Sequence, residues 1–358
     1  MVAHRPDMID VQWMTNALRQ AGAIRDASVI DIAQRRVGTG QVGMNVIFAL
    51  TYDTDPGPDA PGSVVGKFAS PDEMSRATGI ATDTYMRETR FYRHIYPTIS
   101  MRVPRPYLVE ENPDTTTGEF VILMEDMTPA VQGDQLTGCD AATAELAVRE
   151  LAGLQAPWWN NPALADHTWL QFRNDEGLAN LQMFYNVLWP GFWAAYGPEL
   201  PDYAHGVGSA FTERLTAYVS PRGPETITHG DYRLDNMLFG TVAGGPPITV
   251  VDWQTPGRGL GVSDAAYFIG TSVLETQRAG LEADLIRAYR EALVAGGVRG
   301  YSYDDCFADY RSTILSGFLM AVIASQIVAT DQRGHDMFLA MARRSVIAAH
   351  ELGVIGGL

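Results

Sequence analysis

The chain has 358 residues, 46% of them hydrophobic and 19% charged, enough for a full hydrophobic core and unlike the composition of a disordered polypeptide. Its formal net charge of −16 supplies no basic footprint for nucleic acid or an anionic membrane surface. An acidic surface serves solubility and equally attracts a cationic ligand.

The first seven residues lack the apolar core of a signal peptide. Met8, Val11, Met14 and Leu18 then recur at helical spacing, predicting a short amphipathic helix over 8–21 whose role is packing. Residues 29–37 read as a strand leading into Gly38-Thr39-Gly40-Gln41-Val42-Gly43, a G-x-G-x-x-G pattern, and residues 45–52 as a second strand. A helix after the glycines would suggest a dinucleotide fold. A strand follows instead, making a hairpin whose glycine tip can lie over phosphates. An ordinary glycine-rich turn is the bland alternative in a chain with 35 glycines.

Residues 53–62 are a loop by composition, and residues 63–69 form an apolar strand that carries Lys67. An ammonium in such a strand is costly to bury without an anionic partner. The next helix, over 74–95, sets Ala81, Tyr85, Glu88 and Tyr92 on one stripe. Glu88 on that apolar face calls for a counter-charge: Lys67, or else Arg87, Arg90 or Arg93 within the helix. Two strands are predicted over 104–109 and 119–127, then a helix over 140–156 with Asp140 as its N-cap. Residues 157–220 are rich in aromatic side chains, from Trp158 to Tyr196, with Pro190-Gly191 and Gly197-Pro198 breaking helices. Such density either lines a ligand pocket or forms core.

The organising stretch is Ile227-Thr228-His229-Gly230-Asp231-Tyr232-Arg233-Leu234-Asp235-Asn236, which reads His-x-Asp-x-x-x-x-Asn between apolar flanks. An Asp and an Asn five apart in such a loop can face one bound nucleotide, the Asp taking a hydroxyl proton and the Asn lending a neutral oxygen to Mg²⁺. Residues 248–253 read as a buried strand ending in Asp252, placed as a second metal ligand. Asp264 opens a further helix, and helices are expected near 281–294, 304–330 and 335–351. The apolar run 314–329 is short for a membrane span and contains Ser316, Gly317, Ser325 and Gln326, so it reads as a buried helix. Cys139 and Cys306 make neither a disulfide framework nor a zinc spacing, and a reducing cytoplasm is expected.

This loop, with Asp252-Trp253-Gln254 downstream, resembles the catalytic machinery of the aminoglycoside phosphotransferase (APH) family, the small-molecule branch of the protein-kinase-like fold. Gly230 stands where protein kinases carry Arg, and Asp-Trp-Gln replaces Asp-Phe-Gly. The resemblance implies an α+β, bilobal protein-kinase-like fold: a nucleotide-binding lobe over 1–128 with an antiparallel sheet plus helix, and a mainly helical lobe over 129–358 for catalysis and acceptor binding. An insertion over about 157–220 would shape the acceptor pocket.

It further implies ATP under Gly38, Gly40 and Gly43, with Lys67 on its phosphates and Glu88 fixing that lysine. Backbone groups near Glu125 and Met127 would meet the adenine edge. Asn236 and Asp252 would hold Mg²⁺, Asp231 would be the catalytic base, and Arg233 would neutralise charge on the transferred phosphate. His229 is expected as a brace rather than a base, Asp264 as a brace for the loop backbone or an N-cap, and Asp235 as a solvated turn residue. The implied partner is a small-molecule hydroxyl acceptor, and antibiotic modification is one role the family carries. The phrase His-Gly-Asp-Tyr-Arg-Leu-Asp-Asn is equally similar to phosphotransferase domains acting on hydroxyacyl thioesters. A nucleotide-binding pseudokinase is a further alternative. No Asp-Phe-Gly to Ala-Pro-Glu segment follows Asp252, which disfavours a protein kinase.

Overall fold

The computed structural model describes residues 2–38, 42–170, 175–220, 223–328 and 331–357. Five strands, β1 (Val29–Val37), β2 (Gly43–Tyr52), β3 (Ser63–Ala69), β4 (Pro106–Glu111) and β5 (Phe120–Glu125), pair antiparallel in the order β1-β2-β3-β5-β4. β-Branched and aromatic residues favour this pleated surface, and alternation sends successive side chains to opposite faces. One face buries Val46, Phe48, Val64, Phe68, Val121 and Leu123 against Met14 and Leu18 of α1 (Val11–Gln20). That helix starts where the Asp10 carboxylate accepts the Trp13 N–H at 2.7 Å. The opposite face of β5 buries Phe120, Ile122 and Met124 against the helix that carries Glu88. Fully paired and covered on both sides, β5 explains its unbroken apolar run.

The helix expected over 74–95 is two helices, α2 (Glu73–Ala81) and α3 (Thr84–Arg90), the second continuing as one π turn over Phe91–Ile95. The break falls at Asp83, whose φ of 56° is left-handed. It leaves Ala81 exposed and turns Tyr85 inward, so that its hydroxyl donates to the Val42 carbonyl at 2.5 Å. Tyr85, Glu88 and Tyr92 are buried together as their spacing predicts.

Past β5 come β6 (Val131–Gln132), α4 (Ala141–Gln155), α5 (Asp175–Tyr196), α6 (Ala204–Val219), β7 (Glu225–Thr228), β8 (Met237–Thr241), β9 (Gly244–Val250) and β10 (Gly257–Leu260). The chain closes with α7 (Val262–Ser272), α8 (Glu275–Ala295), α9 (Tyr303–Thr313), α10 (Ser316–Ile327) and α11 (Gln332–Glu351). β7 pairs with β10, and β6, β8 and β9 form a second small sheet. Asp140 caps α4 by accepting the Thr143 N–H at 2.8 Å.

Two expectations about helices are corrected. Pro190 does not break its segment: it lies inside α5, whose 22 residues are held by a run of packed rings, Tyr185, Trp189, Phe192 and Tyr196. These four are buried, so most of the aromatic density here is core; Phe184 stands 41% exposed, and Phe172 lies outside the described residues. The helix expected over 304–330 is split at Ile314–Leu315. There the Leu315 N–H bonds the Tyr218 hydroxyl at 2.9 Å instead of continuing the helical ladder. By length and composition Tyr303–Ile327 is apolar enough to cross a membrane, with mean hydropathy 1.2, but half of that window is buried inside the helical lobe.

Candidate active site

Lys67 is the point at which the sheet, α3 and the end of β9 meet. Its Nζ donates to Glu88 Oε1 at 2.8 Å and to Asp252 Oδ1 at 2.6 Å. The expected Lys67–Glu88 pair is present, and α3 does not spend Glu88 on its own arginines. Instead Arg87 donates to the carbonyls of Trp169 (2.7 Å) and Pro256 (3.4 Å), tying α3 to the helical lobe.

Burial alone would lower the Lys67 pKa, but the carboxylates of Asp252 and Glu88 outweigh it and hold the ammonium above its ordinary value. Glu88 is pushed upward by burial, against the pull of Lys67. Burial also opposes ionisation of Asp252, yet Lys67 prevails and lowers its pKa. Only one of the three remains open to a ligand: the Asp252 side chain is 38% exposed, against 7% for Lys67 and 1% for Glu88.

The strand expected to end in Asp252 ends at Val250. Val251 then donates its N–H to the Asn236 carbonyl at 2.9 Å, which joins the loop between β7 and β8 to the approach to Asp252. Asp252 itself is left-handed, with φ of 67°. Such a conformation in a residue other than glycine is held only where surrounding contacts over-determine it. Here the Lys67 bond does so on one side, and on the other the fully buried Trp253 indole stacks on Phe91 with centroids 3.7 Å apart.

The loop from β7 to β8 is fixed from below. Asp264 accepts the N–H groups of His229 at 2.8 Å and Gly230 at 3.0 Å, which is the bracing role expected of it, and burial raises its pKa. Gly230 has φ of 83°, and a Cβ there would lie 2.3 Å from the Thr255 carbonyl oxygen, so an arginine cannot occupy this position in this packing. His229 is wholly buried; its Nε2 faces the Val251 carbonyl at 3.1 Å and its Nδ1 accepts from the Asp231 N–H at 3.3 Å. With both ring nitrogens engaged it is a brace, not a base. Tyr232 anchors the turn by donating to the Ala147 carbonyl on α4 at 2.7 Å.

Asp231 sits at the surface of this frame with three donors around its carboxylate. Tyr267 on α7 donates to Oδ1 at 2.6 Å, Asn236 Nδ2 to Oδ2 at 2.8 Å, and Arg233 Nε to both oxygens at 3.1 Å. Asn236 Nδ2 also reaches the Asp231 carbonyl at 2.8 Å. Its amide nitrogen is thereby spent, and among the described residues nothing donates to its Oδ1, the oxygen a hard cation would take.

Asp235 is corrected. It is not solvated: it is 7% exposed and accepts from the Gln135 N–H at 3.0 Å, from Arg233 at 2.7 Å and from Arg333 at 3.1 Å. These partners overcome the effect of burial and lower its pKa. Arg233, expected to face the transferred phosphate, is shared between Asp231 and Asp235 and is half of a carboxylate–guanidinium ladder.

In the β1–β2 hairpin, Gly38 has φ of 75° and Gly43 opens β2, while Gly40 lies outside the described residues. A Cβ on Gly43 would lie 3.4 Å from Lys67 Cε and 3.5 Å from Gln254 Nε2, so bare backbone, the lysine stem and the glutamine amide share one small space. The N–H of Glu125 is committed to the Arg105 carbonyl at 2.9 Å, and its carboxylate to Arg102 at 2.6 Å. Of the Glu125 backbone groups expected at the adenine edge, the N–H is therefore engaged within the protein. The N–H of Met127 has no acceptor among the described residues.

A nucleotide and Mg²⁺ fit these residues on two counts. Gln254 Nε2 is a buried donor with no acceptor, next to Gly43 and Lys67. The Asp252 side chain is 38% exposed, and Asn236 spends its amide nitrogen on Asp231 while its Oδ1 receives no donor among the described residues, which leaves two oxygens for a cation. Mg²⁺ is ordinarily held by one or two protein oxygens together with phosphate and water.

Sequence reasoning missed Tyr267, the Phe91–Trp253 stack and the buried Asp235. Tyr267 lies three residues after Asp264 and so on the same helical face, which was a legible signal.

Comparison with known proteins bears on these features. A model of the phosphotransferase enzyme family (APH) matches residues 63–302. No curated protein matches the chain. Among solved structures, a Ralstonia eutropha protein provisionally assigned as an aminoglycoside phosphotransferase has 16% identity, covers 97% of this chain and 98% of its own, and has a TM-score of 0.53. A choline kinase from Cryptosporidium parvum has 10% identity, 97% coverage of both chains and a TM-score of 0.53. A Plasmodium vivax ethanolamine kinase has 10% identity, covers 90% of this chain and 84% of its own, and has a TM-score of 0.51. At such identities these neighbours establish the α+β protein-kinase-like fold alone. The family model spans most of the sheet-and-loop machinery described above, from β3 through the catalytic loop to α8, and the chain belongs to the phosphotransferase enzyme family.

Proposed function

We propose that this protein transfers the γ-phosphate of ATP to a hydroxyl of a small molecule, with Asp231 as the catalytic base. The observation that carries this reading is the constellation around Lys67. One buried ammonium joins Glu88 to the more open Asp252, while Asn236 turns its amide nitrogen to Asp231 and leaves its oxygen free. Phosphoryl transfer asks a protein for positioning and charge neutralisation more than for covalent help. Lys67 supplies a fixed positive charge for the phosphates, held in place by Glu88. Mg²⁺ held by Asn236 Oδ1 and Asp252 would neutralise the phosphate oxygens. Asp231 accepts the acceptor's proton as its oxygen attacks phosphorus, and Tyr267, Asn236 and Arg233 fix the carboxylate's orientation. The free Met127 N–H suits the adenine edge.

A hydroxyacyl thioester acceptor is the second reading, supported by the loop phrase alone. The acids of the insertion, Asp166, Glu176, Glu199, Asp202 and Glu213, are exposed and spread over its helices and turns, and they give no special support to a polycationic sugar. The test is Mg²⁺-dependent ADP release from ATP with aminoglycosides, macrolides, choline, sugars, sterols and hydroxyacyl-CoAs as acceptors, beside Asp231→Asn. Acceptor-stimulated release lost in the variant supports the enzyme and names its substrate class. ATP binding without release under any acceptor favours the pseudokinase, and absence of ATP binding overturns the reading.

A further inference from the structure

The kinase reading accounts for Lys67, Glu88, Asp231, Asn236 and Asp252, but not for the side chain two residues past Asp252. Gln254 Nε2 has no exposed surface and no acceptor among the described residues. It lies 3.5 Å from the point where a Gly43 Cβ would stand, and Lys67 Cε lies 3.4 Å from that same point. An amide from the helical lobe is thus inserted under the first residue of β2, beside the buried lysine. Buried amide donors are almost always paired, because their lost hydration is otherwise uncompensated. An orphan donor at this place is poised for an acceptor that arrives from outside, and its neighbours set the chemistry of that acceptor. It must be anionic to suit Lys67. It must fit beside Gly43, where a Cβ would meet the Phe68 carbonyl oxygen at 3.3 Å as well as the lysine stem and this amide. It must also lie within reach of the open Asp252 carboxylate.

We propose that the Gln254 side-chain amide is a nucleotide-binding donor that hydrogen-bonds a terminal phosphate oxygen of the nucleoside triphosphate, a contact that rests on the kinase reading above. The donor is neutral, so it binds the phosphate without competing with Asp252 for a cation. It also links the helical lobe to the hairpin lobe through the ligand.

The test is isothermal titration of ATP into wild type, Gln254→Met and Gln254→Glu, each with Mg²⁺ and in EDTA, beside the melting temperature of each unliganded protein. Methionine keeps the volume and removes the donor, and glutamate keeps the shape and replaces the amide with an anion. The expected result is at least ten-fold weaker ATP binding by Gln254→Met in both media, weaker still for Gln254→Glu, and an unliganded Gln254→Met that melts no lower than wild type. The inference is overturned if either variant binds ATP as wild type does. It is overturned too if the loss appears only with Mg²⁺, which would make Gln254 a metal ligand, or if Gln254→Met melts well below wild type, which would make the amide structural. Failure of the wild type itself to bind ATP would instead sink the kinase reading.

Discussion

The Tyr267 hydroxyl donates to Asp231 Oδ1 at 2.6 Å, joining the first turns of α7 to the carboxylate proposed as base. Tyr267 is 3% exposed, and burial, together with the negative charge of Asp231, raises its pKa well above the ordinary tyrosine value. It therefore stays a protonated donor over the whole working range of pH. Tyr267→Phe removes a hydrogen bond to a charged group, worth about 1.5–3 kcal/mol. The expected outcome is a roughly ten- to hundred-fold fall in kcat. An unchanged kcat would reduce Tyr267 to packing.

The stack of Phe91 on Trp253 is the hydrophobic counterpart of the Lys67–Glu88 pair. The planes are 4° from parallel, and both rings are fully buried. Phe91→Ala should cost about 3–5 kcal/mol of stability through the cavity it opens. Because Phe91 follows α3 directly, the variant should also weaken nucleotide binding, measured at a temperature where it remains folded. A variant that melts early but binds ATP normally would show that the stack does not position Glu88.

Lys67→Ala leaves Glu88 as a buried carboxylate without its counter-ion, a change worth about 3–5 kcal/mol. The pH dependence of that loss has a definite sign. Burial already raises the folded pKa of Glu88, and removing Lys67 raises it further. A carboxyl raised in the folded state penalises folding above its unfolded pKa, about 4.3, and the penalty vanishes below it. The deficit against wild type should be full at pH 7 and shrink as pH falls toward 4. Denaturant unfolding of both proteins at several pH values checks this, and a deficit constant with pH would contradict it.

Neither cysteine is a candidate nucleophile. Burial, with a smaller contribution from Asp140, pushes the Cys139 thiol up to about 12, and burial likewise pushes Cys306 up to about 12. The thiolate is the reactive species, so both should resist a thiol reagent at pH 8 in the folded protein and react at once in denaturant. Fast labelling of the native state would refute this assignment.

The sequence by itself determined whatever depends on local order along the chain. Alternation and β-branching specified β1 to β5, and Asp140 before an apolar period specified α4. The spacing His229-x-Asp231-x-x-x-x-Asn236 specified the loop proposed here as catalytic. Even the Lys67–Glu88 pair was legible, because a lone ammonium in an apolar strand and a lone carboxylate on an apolar helix stripe each need the other.

Tertiary structure decided what depends on contacts between distant segments. Whether Pro190 ended a helix rested on rings packed along α5, and where 304–330 divided rested on Tyr218 capturing the Leu315 N–H. Asp235 looked like a turn residue until Arg333, 98 residues away, and Gln135 closed over it. Likewise Gln254 has no local signature. Its amide became an orphan donor only because the fold set β2 and Lys67 against it, and the hydrogen bonds of a buried group are settled by whatever packs around it.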